Sequence, residues 1–294
     1  MRRKTTNLMT QKLSDSDADC GQGSLDRREF LKKITLLTGG TAAAGVLLPF
    51  LENSYALAQV ISKDDPRLLA ENIKYPGETG EIRAYFARPK EDGKFPGVIV
   101  IHENRGLNPH IEDVARRVAL EGYLAVAPDA LSPFGGTPAN PDEIRSLFQK
   151  LDPVSNTKNF TAAVQYLKTH PQSTGKVGCM GFCWGGGVTN QVAVHSPDLA
   201  AAAPFYGIQP APEDVPKIKA SMLLHYAGQD ERINAGIVAF EAALRKASVD
   251  FRTYIYEGAG HAFFNDTNET RYHKEAAQLA WQRTIAFFKE KLKT

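Results

Sequence analysis

The sequence predicts an α/β domain, a mostly parallel central sheet with helices on both faces, and three observations predict it. Short apolar runs of strand length recur at 98–101, 123–127, 177–180, 221–226 and 251–256, with segments of helical spacing between most of them. The string Gly181-Phe182-Cys183-Trp184-Gly185-Gly186 directly follows one of these runs. Asp230 and His261 each follow a later one.

Taken in chain order, residues 82–87 alternate as an early half-buried strand, and 89–94 form a turn. Residues 98–101 are all apolar, as in a strand buried on both faces. Ile111, Val114, Ala115, Val118 and Ala119 recur at helical spacing, and Glu121-Gly122 closes that helix. The strand at 123–127 ends at Pro128-Asp129. Phe160, Ala163, Val164 and Leu167 share one helix face ahead of the strand at 177–180. A helix is expected from Gly186 to His195, then a strand at 221–226 and a helix carrying Ala239, Ala242, Ala243 and Lys246. A strand at 251–256 and an amphipathic helix at 276–288 complete the chain. The one long irregular segment, 128–141, is rich in proline and glycine and starts at the carboxyl end of a strand, where open α/β sheets bind ligands.

A strand, a glycine, a nucleophile-type residue and more glycine have the spacing of a nucleophile elbow, a turn so sharp that only small flanking residues let the backbone pass. Cys183 occupies the exposed position, and the order Cys183, Asp230, His261 is the nucleophile–acid–histidine order of the α/β-hydrolase fold. At a helix start, N–H groups and the helix dipole favour a thiolate. His261 is expected to shuttle the proton and Asp230 to hold its tautomer. The plainer alternatives are a buried structural cysteine, a loop histidine bound to backbone, and an aspartate capping a helix near Ala235.

The strand at 98–101 leads into His102, Glu103, Asn104, Arg105 and Gly106. The backbone amides of Asn104 and Trp184 are the expected oxyanion hole. A Glu103 carboxylate facing the thiol would accept its proton, with Arg105 holding the carboxylate; a surface Arg105–Glu103 pair is the alternative. His102 is expected to be a satisfied, half-buried histidine. Phe134, Trp184, Tyr206, Phe263 and Phe264 are available near the predicted rim to line an apolar cleft, with Phe263 or Phe264 expected in the core instead.

Residues 1–58 do not read as part of that domain. Arg27-Arg28-Glu29-Phe30-Leu31-Lys32-Lys33 precedes an apolar stretch to Leu51, and Ala56-Leu57-Ala58 is a small-x-small cleavage signal. The paired arginines resemble a twin-arginine export signal, with Asp26 where serine or threonine is more usual. The apolar stretch is shorter than the roughly 20 residues of a spanning helix, so a retained anchor is the lesser expectation. Export by the twin-arginine machinery, cleavage near Ala58 and a periplasmic single domain at 59–294 are expected. Removing the 8 basic and 6 acidic residues of 1–58 leaves 27 of each, a formally neutral body that argues against a nucleic-acid partner. Cys179 and Cys183 lie along one short strand, too far apart for a disulfide, and Cys179 reads as a small buried residue.

On Glu103 with Gly106, Pro128-Asp129, Gly181-Phe182-Cys183-Trp184-Gly185-Gly186, Asp230 and Gly260-His261, residues 82–288 resemble the dienelactone hydrolase family. The resemblance implies a Cys-His-Asp hydrolase of lactones or small esters with no metal or organic cofactor. It also implies that Glu103 helps generate the thiolate once substrate is present. The family's best-known members bind a substrate carboxylate with arginines shortly after the Pro-Asp segment and shortly after the histidine. Here 130–135 and 262–266 contain none, so neutral esters or lactones are the expected substrates. A non-catalytic binding protein on this scaffold, and a thioester or amide hydrolase, are the competing readings.

Overall fold

The computed structural model describes residues 60–293; the expected export signal at 1–58 and its cleavage site lie outside the described residues. Eight strands form one sheet: β1 (Leu68–Gly77), β2 (Gly80–Pro89), β3 (Phe95–Ile101), β4 (Leu124–Pro128), β5 (Ser173–Phe182), β6 (Ala201–Phe205), β7 (Ser221–Gln229) and β8 (Phe251–Gly260). Their spatial order is β1-β2-β4-β3-β5-β6-β7-β8. The first two strands pair antiparallel, β2 meets β4 antiparallel, and every other ladder is parallel. The helices are α1 (Pro109–Leu120), α2 (Pro141–Phe148), α3 (Pro153–Thr169), α4 (Trp184–His195), α5 (Glu231–Asn234), α6 (Ile237–Lys246) and α7 (Lys274–Leu292). This is the α/β-hydrolase arrangement, with the parallel strands fed through helical crossovers.

Two cores flank the sheet, and strand alternation assigns residues to them. Val98 and Val100 of β3 pack with Ile111, Val114 and Val118 of α1 and with Phe287 and Phe288 of α7. Ile99 and Ile101 point the other way, toward Phe160 and Leu167 of α3, Val192 of α4 and Phe240 and Leu244 of α6. Because β3 is covered on both faces, all of its interior residues are apolar. The α1 helix ends at its C-cap Glu121 as expected and begins with Pro109 in its first turn and the Asn108 side chain accepting from Ile111 N–H at 3.2 Å.

Several elements were not foreseen in the sequence. The first strand lies at the sheet edge with mostly exposed or half-buried side chains, so its periodicity is weak. In β6 the residues Ala-Ala-Ala-Pro-Phe have little strand propensity, yet all five are buried between β5 and β7. The segment at 128–141 contains a 3₁₀ turn at Ser132–Phe134 and leads into α2. The α4 helix starts at Trp184 rather than Gly186, directly after the nucleophile position.

Candidate active site

The elbow is built by backbone sterics. Cys183 joins β5 to α4 with φ 54° and ψ −115°, a left-handed conformation costing a non-glycine residue about 1–3 kcal/mol. Its N–H is held by the Phe205 carbonyl at 3.1 Å, which ties the turn to β6. A Cβ on Gly181 would lie 2.4 Å from the Gly185 carbonyl, and one on Gly185 would lie 2.3 Å from the His102 carbonyl. Side chains are therefore excluded on both sides of the turn, while the half-buried Cys183 side chain projects from it without capping α4. Among the described residues neither cysteine is in a disulfide, and Cys179 is fully buried against Thr189, its pKa pushed up to about 12 by burial.

Asp230 and His261 are brought together from the ends of β7 and β8. His261 Nδ1 and Asp230 Oδ2 are 2.5 Å apart. The carboxylate can only accept in this pair, so Nδ1 carries the proton and Nε2 is left as an acceptor. That Nε2 is buried and has no hydrogen-bond partner. Asp230 also caps α5, accepting from Ile233 N–H at 3.5 Å, so the capping and orienting roles fall to one residue.

The loop after β3 is held differently, by side chains. His102 is fully buried, and its Nε2 faces the Ala130 N–H at 3.1 Å. A backbone N–H only donates, so Nδ1 is the protonated nitrogen, and it donates to the Glu103 carbonyl at 2.6 Å. Burial lowers the pKa of His102, more than the nearby Asp129 charge and its backbone hydrogen bonds raise it. The ring also stacks on Trp184, 5.4 Å between centroids, so His102 is a full core residue rather than a half-buried one. Asp129 accepts from Leu131 N–H, Thr137 N–H and the Thr137 hydroxyl, and that hydroxyl accepts in turn from Leu107 N–H at 3.0 Å. Thr137 thereby fastens the 128–141 segment to the loop carrying Glu103. Gly106 is required there, since its φ is +72° and a Cβ would meet the Thr137 hydroxyl at 2.2 Å.

Glu103 is buried, and its Oε2 accepts from Asn265 Nδ2 at 2.8 Å. The carboxylate is buried rather than on the surface, and Asn265 is a partner that sequence reasoning missed. The neighbouring Asp266 anchors the same loop to α1 through His110 at 3.0 Å and Arg117 at 2.6 Å. Burial alone would raise the Asp266 pKa, but His110 and Arg117 outweigh it and hold the carboxyl below its usual range. The only available signal for Asn265 was its place four residues after His261.

Of the expected cleft residues, Tyr206 stands closest to the chemistry. Its backbone is left-handed (φ 38°), its N–H is held by the His225 carbonyl, and its ring centroid is 5.1 Å from that of His261. Burial first, then the charges of Glu103 and Cys183, push its phenol well above the usual tyrosine range, so it stays protonated beside both groups. Trp184 is half-buried within a cage of His102, Phe148 and Phe160. Phe134 is 40% exposed in the 128–141 segment. Phe263 and Phe264 are both core residues, the first against Tyr206 and Tyr256 and the second against Phe182. Neither belongs to an open cleft, because the turn after His261 folds them inward, between the sheet and α7. Among the described residues no group of three or more histidine, cysteine, aspartate or glutamate side chains is placed to hold a metal ion.

The sequence profile of the Dienelactone hydrolase family matches residues 82–292. The "Putative carboxymethylenebutenolidase" of Escherichia coli strain K12 is 33% identical over 247 residues, covering 79% of this chain and 90% of the relative. A "Putative hydrolase fragment YghX" of the same strain is 53% identical over 112 residues, 37% of this chain and 96% of that fragment. Among solved structures, a "Putative Dienelactone Hydrolase" from Klebsiella pneumoniae aligns with a TM-score of 0.68 at 31% identity, covering 75% of this chain and 98% of its own. An elbow after β5, an Asp-His pair from the ends of β7 and β8, and these likenesses across most of the chain agree: it belongs to the dienelactone hydrolase family and is a carboxylic-ester or lactone hydrolase.

Proposed function

We propose that the chain hydrolyses small neutral esters or lactones through an acyl-cysteine intermediate on Cys183. The observation that carries this reading is the placement of Cys183 at a strained, glycine-flanked helix start, with a His261–Asp230 pair supplied by the following strands. Helix N–H groups and the dipole of α4 favour the thiolate. The thiol proton is accepted by Glu103 Oε1 and passed on to His261 Nε2, both buried atoms without hydrogen-bond partners, and His261 then delivers it to the leaving alkoxide. Thiolate attack on the carbonyl carbon forms the C–S bond, and collapse of the tetrahedral oxyanion breaks the C–O bond. The backbone amides of Asn104 and Trp184 are the proposed donors to that oxyanion. Water then attacks the thioester, losing its proton to His261 Nε2, and the thiolate leaves.

The absence of arginine from 130–135 and 262–266 supports a neutral substrate, with Phe134, Trp184 and Tyr206 as its apolar neighbours. The paired arginines and the Ala56-Leu57-Ala58 signal support export by the twin-arginine machinery and action in the periplasm after cleavage near Ala58. Mass spectrometry of enzyme quenched with a slow ester should place the acyl group on Cys183, and Cys183→Ala should fold normally without turnover. Acylation elsewhere, or normal turnover by that variant, would overturn the mechanism. N-terminal sequencing of the exported protein should begin near Gln59; an intact, membrane-bound N-terminus would overturn the export proposal.

A further inference from the structure

We infer that Asn265 is the positioning residue for Glu103, and that Thr267 fixes the direction in which the Asn265 amide is presented; the inference rests on the acyl-cysteine reading above. Asn265 Oδ1 accepts from the Thr267 backbone N–H at 3.1 Å and from the Thr267 hydroxyl at 2.6 Å. The backbone N–H has no acceptor capacity, so the amide oxygen must face Thr267 and the amide nitrogen must face Glu103. The resulting Nδ2–H···Oε2 bond of 2.8 Å fixes one carboxylate oxygen. The other, Oε1, stays buried without a hydrogen-bond partner. One oxygen is thus an anchor and the other an unoccupied proton acceptor.

The donor that anchors Glu103 is a neutral amide. It favours the ionised carboxylate by hydrogen bonding without cancelling its charge, and a carboxylate that keeps its charge is the better proton acceptor. Near Glu103 stand Asn265 from the loop after β8 and the Tyr206 phenol after β6, which feels the charges of both Glu103 and Cys183, and Arg105 lies two residues along the same loop. The Asn265 amide oxygen is taken up by Thr267 and one of its two amide N–H groups by Glu103.

The test reads thiolate formation directly, as the pH dependence of Cys183 alkylation by iodoacetamide in the purified full chain, beside ester kinetics. Asn265→Ala, which frees the Glu103 carboxylate to turn away from the thiol, and Asn265→Asp, which also sets two carboxylates together, should move the alkylation profile to higher pH by about one unit and slow kcat on the order of tenfold, the second variant more. KM for a neutral ester should change by less than about twofold, as for loss of an interaction that matters only to the reacting state. Thr267→Val should give a smaller shift in the same direction, and Thr267→Ser should behave as wild type. In a Glu103→Gln background Asn265→Ala should add nothing, since it acts through that carboxylate. An unchanged alkylation profile in folded Asn265→Ala would overturn the inference; if that variant does not fold, an unchanged profile in Thr267→Val would do so. Acyl trapping on wild-type Cys183 separates the two claims. Trapping with indifferent Asn265 variants sinks only the positioning role, whereas no acyl-cysteine sinks the mechanism while the alkylation profile still decides the role of Asn265.

Discussion

The two loops that meet at the site are held in place by different forces. The elbow after β5 is fixed by backbone against backbone: Gly181 against the Gly185 carbonyl, Gly185 against the His102 carbonyl, and the Cys183 N–H on Phe205. The loop after β3 is fixed by side chains reaching it from elsewhere: His102 to Ala130, Thr137 to Leu107, and Asn265 to Glu103. Steric exclusion acts on the glycines themselves, whether the opposing carbonyl is near or distant in the chain, and leaves a mark in the local sequence, a row of glycines. Side-chain hydrogen bonds join residues 28 to 162 positions apart and leave no local mark. The nucleophile is thus set by a rigid turn, and its proton acceptor by a network that single substitutions can loosen.

That contrast predicts unequal sensitivity. The largest effect should come from Gly185→Ala, whose methyl group would collide with the His102 carbonyl of the opposite loop. Backbone must move in response, and a loss of roughly 3 kcal/mol or more, read by chemical denaturation together with loss of turnover, is the expected outcome. A mild phenotype would show the elbow to be softer than its contacts imply.

Asp129→Ala should come next, since it strips three hydrogen bonds from the 128–141 segment and leaves Thr137 to hold Leu107 alone. A loss of about 1–3 kcal/mol is expected, with hydrogen exchange quickening at 103–107 and 128–137 but not at the elbow. Equal loosening of both loops would erase the distinction drawn between them.

Acid should separate the two loops in the same way. The folded pKa of His102 is lowered from 6.5 by burial, so the unfolded chain binds that proton first. Its contribution is complete above the unfolded value and is lost as pH falls below it, by up to about 1.4 kcal/mol per pH unit. His225 has the same sign, its pKa pushed down to about 3 by burial, and adds to the global loss. Protonated His102 cannot accept from Ala130, so exchange near 102–106 should quicken at pH 5 before the elbow responds. His102→Asn should reduce that local pH dependence, and an unchanged response would assign it elsewhere.

The smallest effect concerns substrate charge. With no arginine in 130–135 or 262–266, matched neutral and anionic esters should differ in kcat/KM by less than about tenfold, in favour of the neutral one. An advantage for the anionic ester that disappears in Arg105→Ala would locate a carboxylate site on the loop after β3.

What the sequence by itself determined is the part governed by local periodicity and local sterics. The buried strands β3 and β5, the helical faces of α1 and α3, and the elbow are legible because each is encoded in a handful of adjacent residues. The order Cys183, Asp230, His261 is likewise linear information, since α/β crossovers deliver successive strand ends to one rim. Only the tertiary structure decided the rest. Three alanines and a proline become the central strand β6 because the space between β5 and β7 admits them, against their propensity. Phe263 and Phe264 turn inward because the core between the sheet and α7 takes up their area. Glu103 meets Asn265 because a buried carboxylate is stabilised by a donor that the fold brings within 2.8 Å, and that donor lies 162 residues away.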